Sequence, residues 1–418
     1  MRPSHPQWRQ RRTPRVWLML LLCLCAPLTN ASERWQRIDQ HLQQATGTQG
    51  YPGAVALVEH DGEIVLHGSW GYRDIARKQP MQPDSIFRIY SMTKPIASTA
   101  ILILLEQGRL SLDDPLSRFL PAFSDTRIVV SGDAEQPQLQ PSPQPLTIRH
   151  LLSHTSGYAA DSSRHPLATA LLSRADLDHA TSLADVAARL AKVPLADAPG
   201  THFHYEGSNT ELLARVVEVV SGQSFAAFLQ QQIFDPLQMR ETTFEVPPSQ
   251  RARVVDLPTG DAGRLHIADT LSARTPGVRL KAYDSAAGGL YSTAADYLKF
   301  ARMLLNDGQS GEVRILSRKS VDLMMADQLS GFDPAIKGFN RGEGFGLGGY
   351  VVTDPAVRGR LGSVGQFGWS GAASTYFTID RREKLVAILM LQYLSDGSTA
   401  ALPSLSTPFY NLVYQAIP

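Results

Sequence analysis

The chain has 418 residues, 43% of them hydrophobic and 19% charged, and a formal net charge of +1. That length holds one large or two ordinary domains with a sizeable core, and that composition excludes a disordered chain. No basic cluster occurs beyond the first 15 residues, so the charge pattern selects neither a nucleic acid nor another polyanion as partner.

Residues 1–31 read as an export signal. Arg2, Arg9, Arg11, Arg12 and Arg15 form a positive n-region, and Val16 to Ala26 is an apolar stretch of signal-peptide length. Pro27 breaks the stretch, and Thr29-Asn30-Ala31 offers a small-residue cleavage site. The run is shorter than the ~20 apolar residues of a membrane span, which favours cleavage over a retained anchor. The expected location is periplasmic or secreted. Arg11-Arg12 lacks the flanks of a twin-arginine signal. Both cysteines, Cys23 and Cys25, fall in this segment, preceded by Leu22 and Leu24 where a lipidation motif prefers a small residue. The mature chain would then contain no cysteine, which excludes disulfides, thiol catalysis and cysteine-based metal sites.

Trp35, Ile38 and Leu42 stand at helical spacing and predict an opening helix over Glu33 to Ala45. Two apolar runs, Gly53 to Val58 and Glu63 to His67, flank Asp61-Gly62 and predict a hairpin. A strongly apolar helix follows Lys94 and stops at Gly108. Leu116 to Leu120 reads as a short helix ended by Pro121, and residues 131–145, rich in proline, as an exposed loop. Thr147 to Gly157 reads as a helix start running into a turn, with further helices at about 183–193, 208–221 and 224–236. The stretch 110–275 shows no clear strands. Gly344 to Val352, Thr375 to Asp380 and Leu385 to Met390 are strand-like, the last two joined by a turn at Arg381 to Lys384, and Leu402 to Ile417 closes the chain as a helix. Strands at both ends around a helical middle predict one α/β sheet domain, residues 32–109 and 276–418, interrupted by a mainly helical domain, residues 110–275.

Three stretches carry chemistry. In Tyr90-Ser91-Met92-Thr93-Lys94-Pro95, a serine and a lysine three apart at a helix start share one face. An amine so placed can take the proton of a hydroxyl that attacks a carbonyl carbon, and burial at the mouth of an apolar helix favours its neutral form. Of the eight lysines, only Lys94 has a serine three positions before it. The same four residues also fit a helix-capping serine beside a solvated lysine. Tyr205, in Phe203-His204-Tyr205-Glu206-Gly207-Ser208-Asn209, could act as general acid or base if a cation stabilised its phenolate; equally, it could be a core tyrosine before a helix capped by Ser208 or Asn209. Trp369-Ser370-Gly371-Ala372 precedes a strand. Small residues there let a ligand lie along the strand edge near a free N–H, and the same residues fit a tight turn. The Gly-x-Ser-x-Gly elbow of α/β-hydrolases is absent from the sequence. His150 and His154, and His202 and His204, have no acidic residue at a familiar zinc spacing and read as structural; neither metal nor cofactor is expected.

Taken in order, these stretches resemble the class C β-lactamase and penicillin-binding-protein-like serine hydrolase family. The resemblance runs through Ser91-Met92-Thr93-Lys94, Ile148 to Gly157, Pro199 to Tyr205, Gly288 to Asp296 and Trp369-Ser370-Gly371. It implies a β-lactamase/transpeptidase-like fold, an antiparallel sheet flanked by helices with an inserted all-α domain. It also implies Ser91 as acylated nucleophile, Lys94 and Tyr205 sharing proton transfer, and an oxyanion hole of the Ser91 and Ala372 N–H groups, with Trp369, Ser370 and Gly371 against substrate. Two departures bear on substrate. Gly207 stands where the family's Tyr-x-Asn has asparagine, and Trp369 stands where the third motif usually has lysine or histidine. The cation that would pair with the carboxylate of a β-lactam or peptide is then missing. Both departures resemble the esterase branch, which implies hydrolysis of short-chain acyl esters as small-molecule substrates. The alternatives are a β-lactamase, D-amino-acid peptidase or transesterase, or a non-catalytic envelope binding protein of the same fold.

Overall fold

The computed structural model describes residues 26–418, with side chains from residue 33. The expected export signal falls on residues 1–25, outside the described residues, and on the first turns of helix α1 (Ala26–Ala45).

A seven-stranded antiparallel sheet organises the fold. Numbering only its strands, these are β1 (Gly53–His60), β2 (Glu63–Gly71), β3 (Glu343–Phe345), β4 (Tyr350–Val352), β5 (Phe367–Gly371), β6 (Thr375–Asp380) and β7 (Leu385–Met390). Their spatial order is β3-β4-β5-β6-β7-β1-β2, so a strand from each end of the chain meets at the β7–β1 junction, with Val55 opposite Met390 and His60 opposite Leu385. The β1–β2 hairpin turns at Asp61 (φ +52) and Gly62 (φ +82), the left-handed pair that matches strand twist.

Alternation along β1 sends Val55 and Leu57 to one core and Ala54, Ala56 and Val58 to the other. The second core is closed by α1 and the terminal helix Ser406–Ala416, which pack on each other and on the sheet. The first, larger core receives α2 (Thr93–Glu106) and the helix Ala294–Leu305, which lies on β1, β6 and β7. Every residue of α2 from Thr93 to Leu104 is buried, which accounts for its lack of a polar face. The helix stops at Gly108 (φ +67).

Between the two parts of the sheet, the chain forms α3 (Ile148–Leu152), α4 (Pro166–Arg174), α5 (Leu183–Leu190), α6 (Gly207–Ser221) and α7 (Phe225–Leu229), the last running into a π-helical turn at Gln230–Phe234. This region departs from expectation in several places, α4 among them, which no sequence signal announced. An exposed hairpin, Arg127–Gly132 with Pro137–Pro141, occupies part of the proline-rich stretch. The polar glutamines and terminal prolines of its second strand hide the pattern because neither face of that strand is buried and proline is tolerated at such edges. A short ladder, Pro258–Thr259 with His266–Ile267, also lies here. Leu116–Arg118 is a single 3-10 turn, not an α-helix. Later in the chain, the single strand expected over Gly344 to Val352 is two, β3 and β4, folded back at Gly348 (φ +93). A Cβ on Gly348 would come within 2.5 Å of Ser98 Oγ and 3.2 Å of the Lys94 carbonyl, so this turn needs glycine to press against α2.

Candidate active site

The Ser91 segment is built under strain. Phe87–Arg88 pairs with Tyr291–Ser292, and the chain then turns at Tyr90 with φ +42. A non-glycine residue in that conformation costs about 1–3 kcal/mol and persists only where its surroundings dictate it. Gly288 supplies part of that constraint: a Cβ there would stand 3.2 Å from Tyr90 Cα. Ser91 sits in one 3-10 turn, Tyr90–Met92, which feeds into α2 at Thr93. No side chain caps this helix start, which removes the capping-serine reading. The buried Tyr297 hydroxyl donates to the Met92 carbonyl at 2.9 Å and fixes the turn.

Lys94, only 2% exposed, lies one turn on. Its Nζ is 3.1 Å from Ser91 Oγ and 2.6 Å from the Ala287 carbonyl. The Ala287 loop is held in turn by Glu211 on α6, whose carboxyl accepts from Ser285 Oγ at 2.5 Å and the Ala286 N–H at 3.0 Å. Glu211 is fully buried, and burial pushes its carboxyl up to about 7 against the opposing pull of those hydrogen bonds and of Lys94.

Tyr205 ends an extended segment before α6. Its ring lies 4.9 Å from Lys94 Nζ, and its hydroxyl oxygen accepts from Trp369 Nε1 at 3.0 Å. His154 backs the ring at 4.7 Å. Burial, and then the Lys94 charge, hold this imidazole well below its usual range, so it is neutral. Its Nδ1 accepts from the Glu206 N–H at 3.1 Å and from Asn209 Nδ2 at 3.0 Å, so it pins Tyr205 from behind. The Nδ2 of the buried Asn209 is thereby used inside the protein, while the α6 cap expected from Ser208 or Asn209 is the Glu206 side chain. His150 likewise has its Nδ1 filled by the Thr147 N–H, in a reciprocal cap of α3.

Ser91, Tyr205, Trp369, Ser370, Gly371 and Ala372 line one cleft of about 380 Å³. The end of β5 comes so close to the serine segment that a Cβ on Gly371 would lie 2.3 Å from both the Ile89 carbonyl and Thr375 Oγ1. Sequence reading missed the other wall. Phe339, Asn340, Glu343, Tyr350, Arg360, Tyr376 and Tyr410 complete the cleft. They come from loops, strands and, for Tyr410, the terminal helix, with no local pattern tying them to the serine. Arg360 corrects one expectation: Trp369 removes a cation from the motif, yet a cation stands on the same cleft from another segment. Arg360 and the buried Arg358 share Glu343, and Arg360 also reaches Thr407 Oγ1 at 3.2 Å.

The beta-lactamase family profile matches residues 38–403. The chain belongs to the beta-lactamase family. An uncharacterized protein of Mycobacterium tuberculosis is 33% identical over 358 residues, which is 84% of this chain and 88% of that protein. Esterase EstB of Burkholderia gladioli is 30% identical over 390 residues, 88% of this chain and 92% of its own. Among solved structures, EstCE1, described as a hydrolase with promiscuous acyltransferase activity, superposes with a TM-score of 0.74 at 23% identity, covering 93% of this chain and 99% of that one. The fold is therefore the β-lactamase/transpeptidase type, and the chain is a beta-lactamase-fold serine hydrolase with esterase relatives. Within that family frame, the indole of Trp369 is notable for being spent inside the site: it packs edge-on against Phe345 at 5.2 Å and its N–H is used by Tyr205.

Proposed function

We propose that this beta-lactamase-family protein is a carboxylesterase for short-chain acyl esters, working through an acyl-enzyme on Ser91. The observation that carries the reading is the contact of Lys94 Nζ with Ser91 Oγ at 3.1 Å, with the Tyr205 ring 4.9 Å from the same nitrogen. Ser91 Oγ attacks the ester carbonyl carbon and passes its proton to the Lys94–Tyr205 pair. The carbonyl oxygen gathers negative charge against the N–H groups of Ser91 and Ala372. The C–O bond then breaks and the alcohol leaves with a proton returned by the pair. Water repeats the sequence, releasing the carboxylic acid and restoring Ser91. An alcohol in place of water would give transesterification. Trp369 Nε1 stabilises charge developing on Tyr205 and offers nothing to a substrate carboxylate, which favours esters over β-lactams and D-amino-acid peptides.

Arg360 supports a second reading, a β-lactam or peptide substrate whose carboxylate meets that cation instead. Its charge is already shared with Glu343, which weakens such a contact. The test is a panel of p-nitrophenyl esters, nitrocefin and D-Ala-D-Ala peptides on wild type and Ser91→Ala. Turnover of p-nitrophenyl butyrate that disappears in Ser91→Ala supports the esterase. Rapid nitrocefin turnover with negligible ester hydrolysis overturns the preference. A lack of fluorophosphonate labelling at Ser91 would mark a binding protein instead. For the chain's first 31 residues we propose a cleaved export signal, which N-terminal sequencing of the exported protein tests.

A further inference from the structure

His202 and His204 show no acidic residue at a familiar metal spacing along the sequence, yet folding supplies one. His204 Nε2 lies 2.7 Å from Asp197 Oδ2, and His165 Nε2 lies 3.5 Å from the same oxygen. One ligand atom from each of His165, Asp197 and His204 falls within 4.8 Å of the other two. The three come from separate places: the residue before α4, the loop after α5, and the extended segment that ends in Tyr205.

We propose that His165, Asp197 and His204 form a divalent transition-metal site, suited to Zn²⁺, that ties the Tyr205 segment to the start of α4. Two imidazoles and one carboxylate are the donor set of borderline metals rather than of Mg²⁺ or Ca²⁺. Ligand atoms at about 2.0–2.2 Å from a tetrahedral zinc stand about 3.3 Å apart. The 3.5 Å pair already has that spacing, and the 2.7 Å pair must open slightly as Zn²⁺ takes the place of the Nε2 proton, which moves to Nδ1 of the same imidazole by tautomerisation. The backbone that carries the carboxylate is held in place. Ala196 N–H donates to the Gly157 carbonyl at 2.8 Å, and a Cβ on Gly157 would come 2.1 Å from the Asp197 carbonyl oxygen. The cluster is half-buried, while His202, 3.4 Å from Asp197 Oδ1 and 62% exposed, stands at its open side, where an ion would enter. A fourth position remains for water or His202.

The site connects to the cleft through the backbone. His204 N–H donates to the His154 carbonyl at 2.9 Å, and His154 backs the Tyr205 ring. Metal binding would therefore hold the segment that presents Tyr205.

Chelator-stripped protein titrated with ZnCl2 should show one saturable site per chain by calorimetry and a rise in Tm. His165→Gln and His204→Gln should each weaken binding by at least about tenfold. His179→Gln, which removes an exposed His–Asp pair elsewhere, should leave it unchanged. X-ray absorption on the zinc-loaded wild type should show two histidine nitrogens in the coordination sphere, a readout that does not depend on any variant folding. Absence of saturable binding, an affinity that survives His165→Gln unchanged, or a zinc sphere without histidine would each overturn the proposal.

Discussion

Replacing Trp369 with phenylalanine isolates one hydrogen bond in the catalytic proposal. The substitution keeps an aromatic ring against Tyr205, Phe345 and Tyr350 but deletes the Nε1–H that reaches Tyr205 Oη at 3.0 Å. A hydrogen bond to an oxygen that carries charge contributes about 1.5–3 kcal/mol. If Tyr205 carries charge during acylation, that loss lowers kcat/KM roughly 10- to 150-fold, at about 1.4 kcal/mol per decade. The smaller ring also leaves unfilled space in the cluster, at a stability cost of about 1–3 kcal/mol. The two effects separate experimentally. Ester hydrolysis gives kcat/KM, the rate of fluorophosphonate labelling reports acylation of Ser91 directly, and thermal unfolding reports the packing loss. Parallel falls in hydrolysis and labelling are expected. Values within twofold of wild type for both, in a folded variant, would refute a role for charge on Tyr205.

Glu211 predicts a pH dependence of stability. Its carboxyl is raised from 4.5 to about 7 in the folded protein, so the folded state holds a proton that the unfolded state gives up. The stability it contributes is fully present below about 4.5 and is lost as pH rises to about 7, a change on the order of 3 kcal/mol. Urea unfolding of Glu211→Gln across that window should lack this component; an unchanged slope would rule it out. Gly371→Ala tests the close approach of β5 to the serine segment. Its Cβ must displace the Ile89 carbonyl or Thr375, so we expect a loss of about 1–3 kcal/mol in unfolding free energy and at least a tenfold fall in kcat/KM for p-nitrophenyl butyrate. Wild-type activity in that variant would show that the strand end can move away freely.

What the sequence revealed followed from local chemistry. Asp61-Gly62 dictates its hairpin, the unbroken apolar run after Lys94 dictates a buried helix, and Ser91 and Lys94 are close because three residues of helix make them so. Tyr205 and Trp369 were legible only as members of an ordered set of motifs, since nothing local announces a contact between positions 164 apart. The second wall of the cleft was not legible at all. Arg360, Glu343 and Asn340 are ordinary loop and edge residues whose meeting is decided by how β3, β4 and the segments around them fold. The same holds for His154, whose neutral ring behind Tyr205 follows from complete burial, and for Asp197, which reaches His165 from 32 positions away. The exposed hairpin at 127–141 escaped for the opposite reason: with Ile128 as its one buried side chain, it needs no alternation.

The meeting of β1 with β7 has a consequence for how the protein is made. Val55 waits for Met390, 335 positions later, so the middle of the sheet cannot close until the chain has been synthesised through β7. Until then β1, buried along almost its full length in the finished protein, exposes its apolar side chains and an unpaired backbone edge. The nascent chain thus carries an adhesive strand long before the partner that silences it. Fragments released before Leu385 would lack β7 and keep that edge open, which makes truncation products of this protein aggregation-prone.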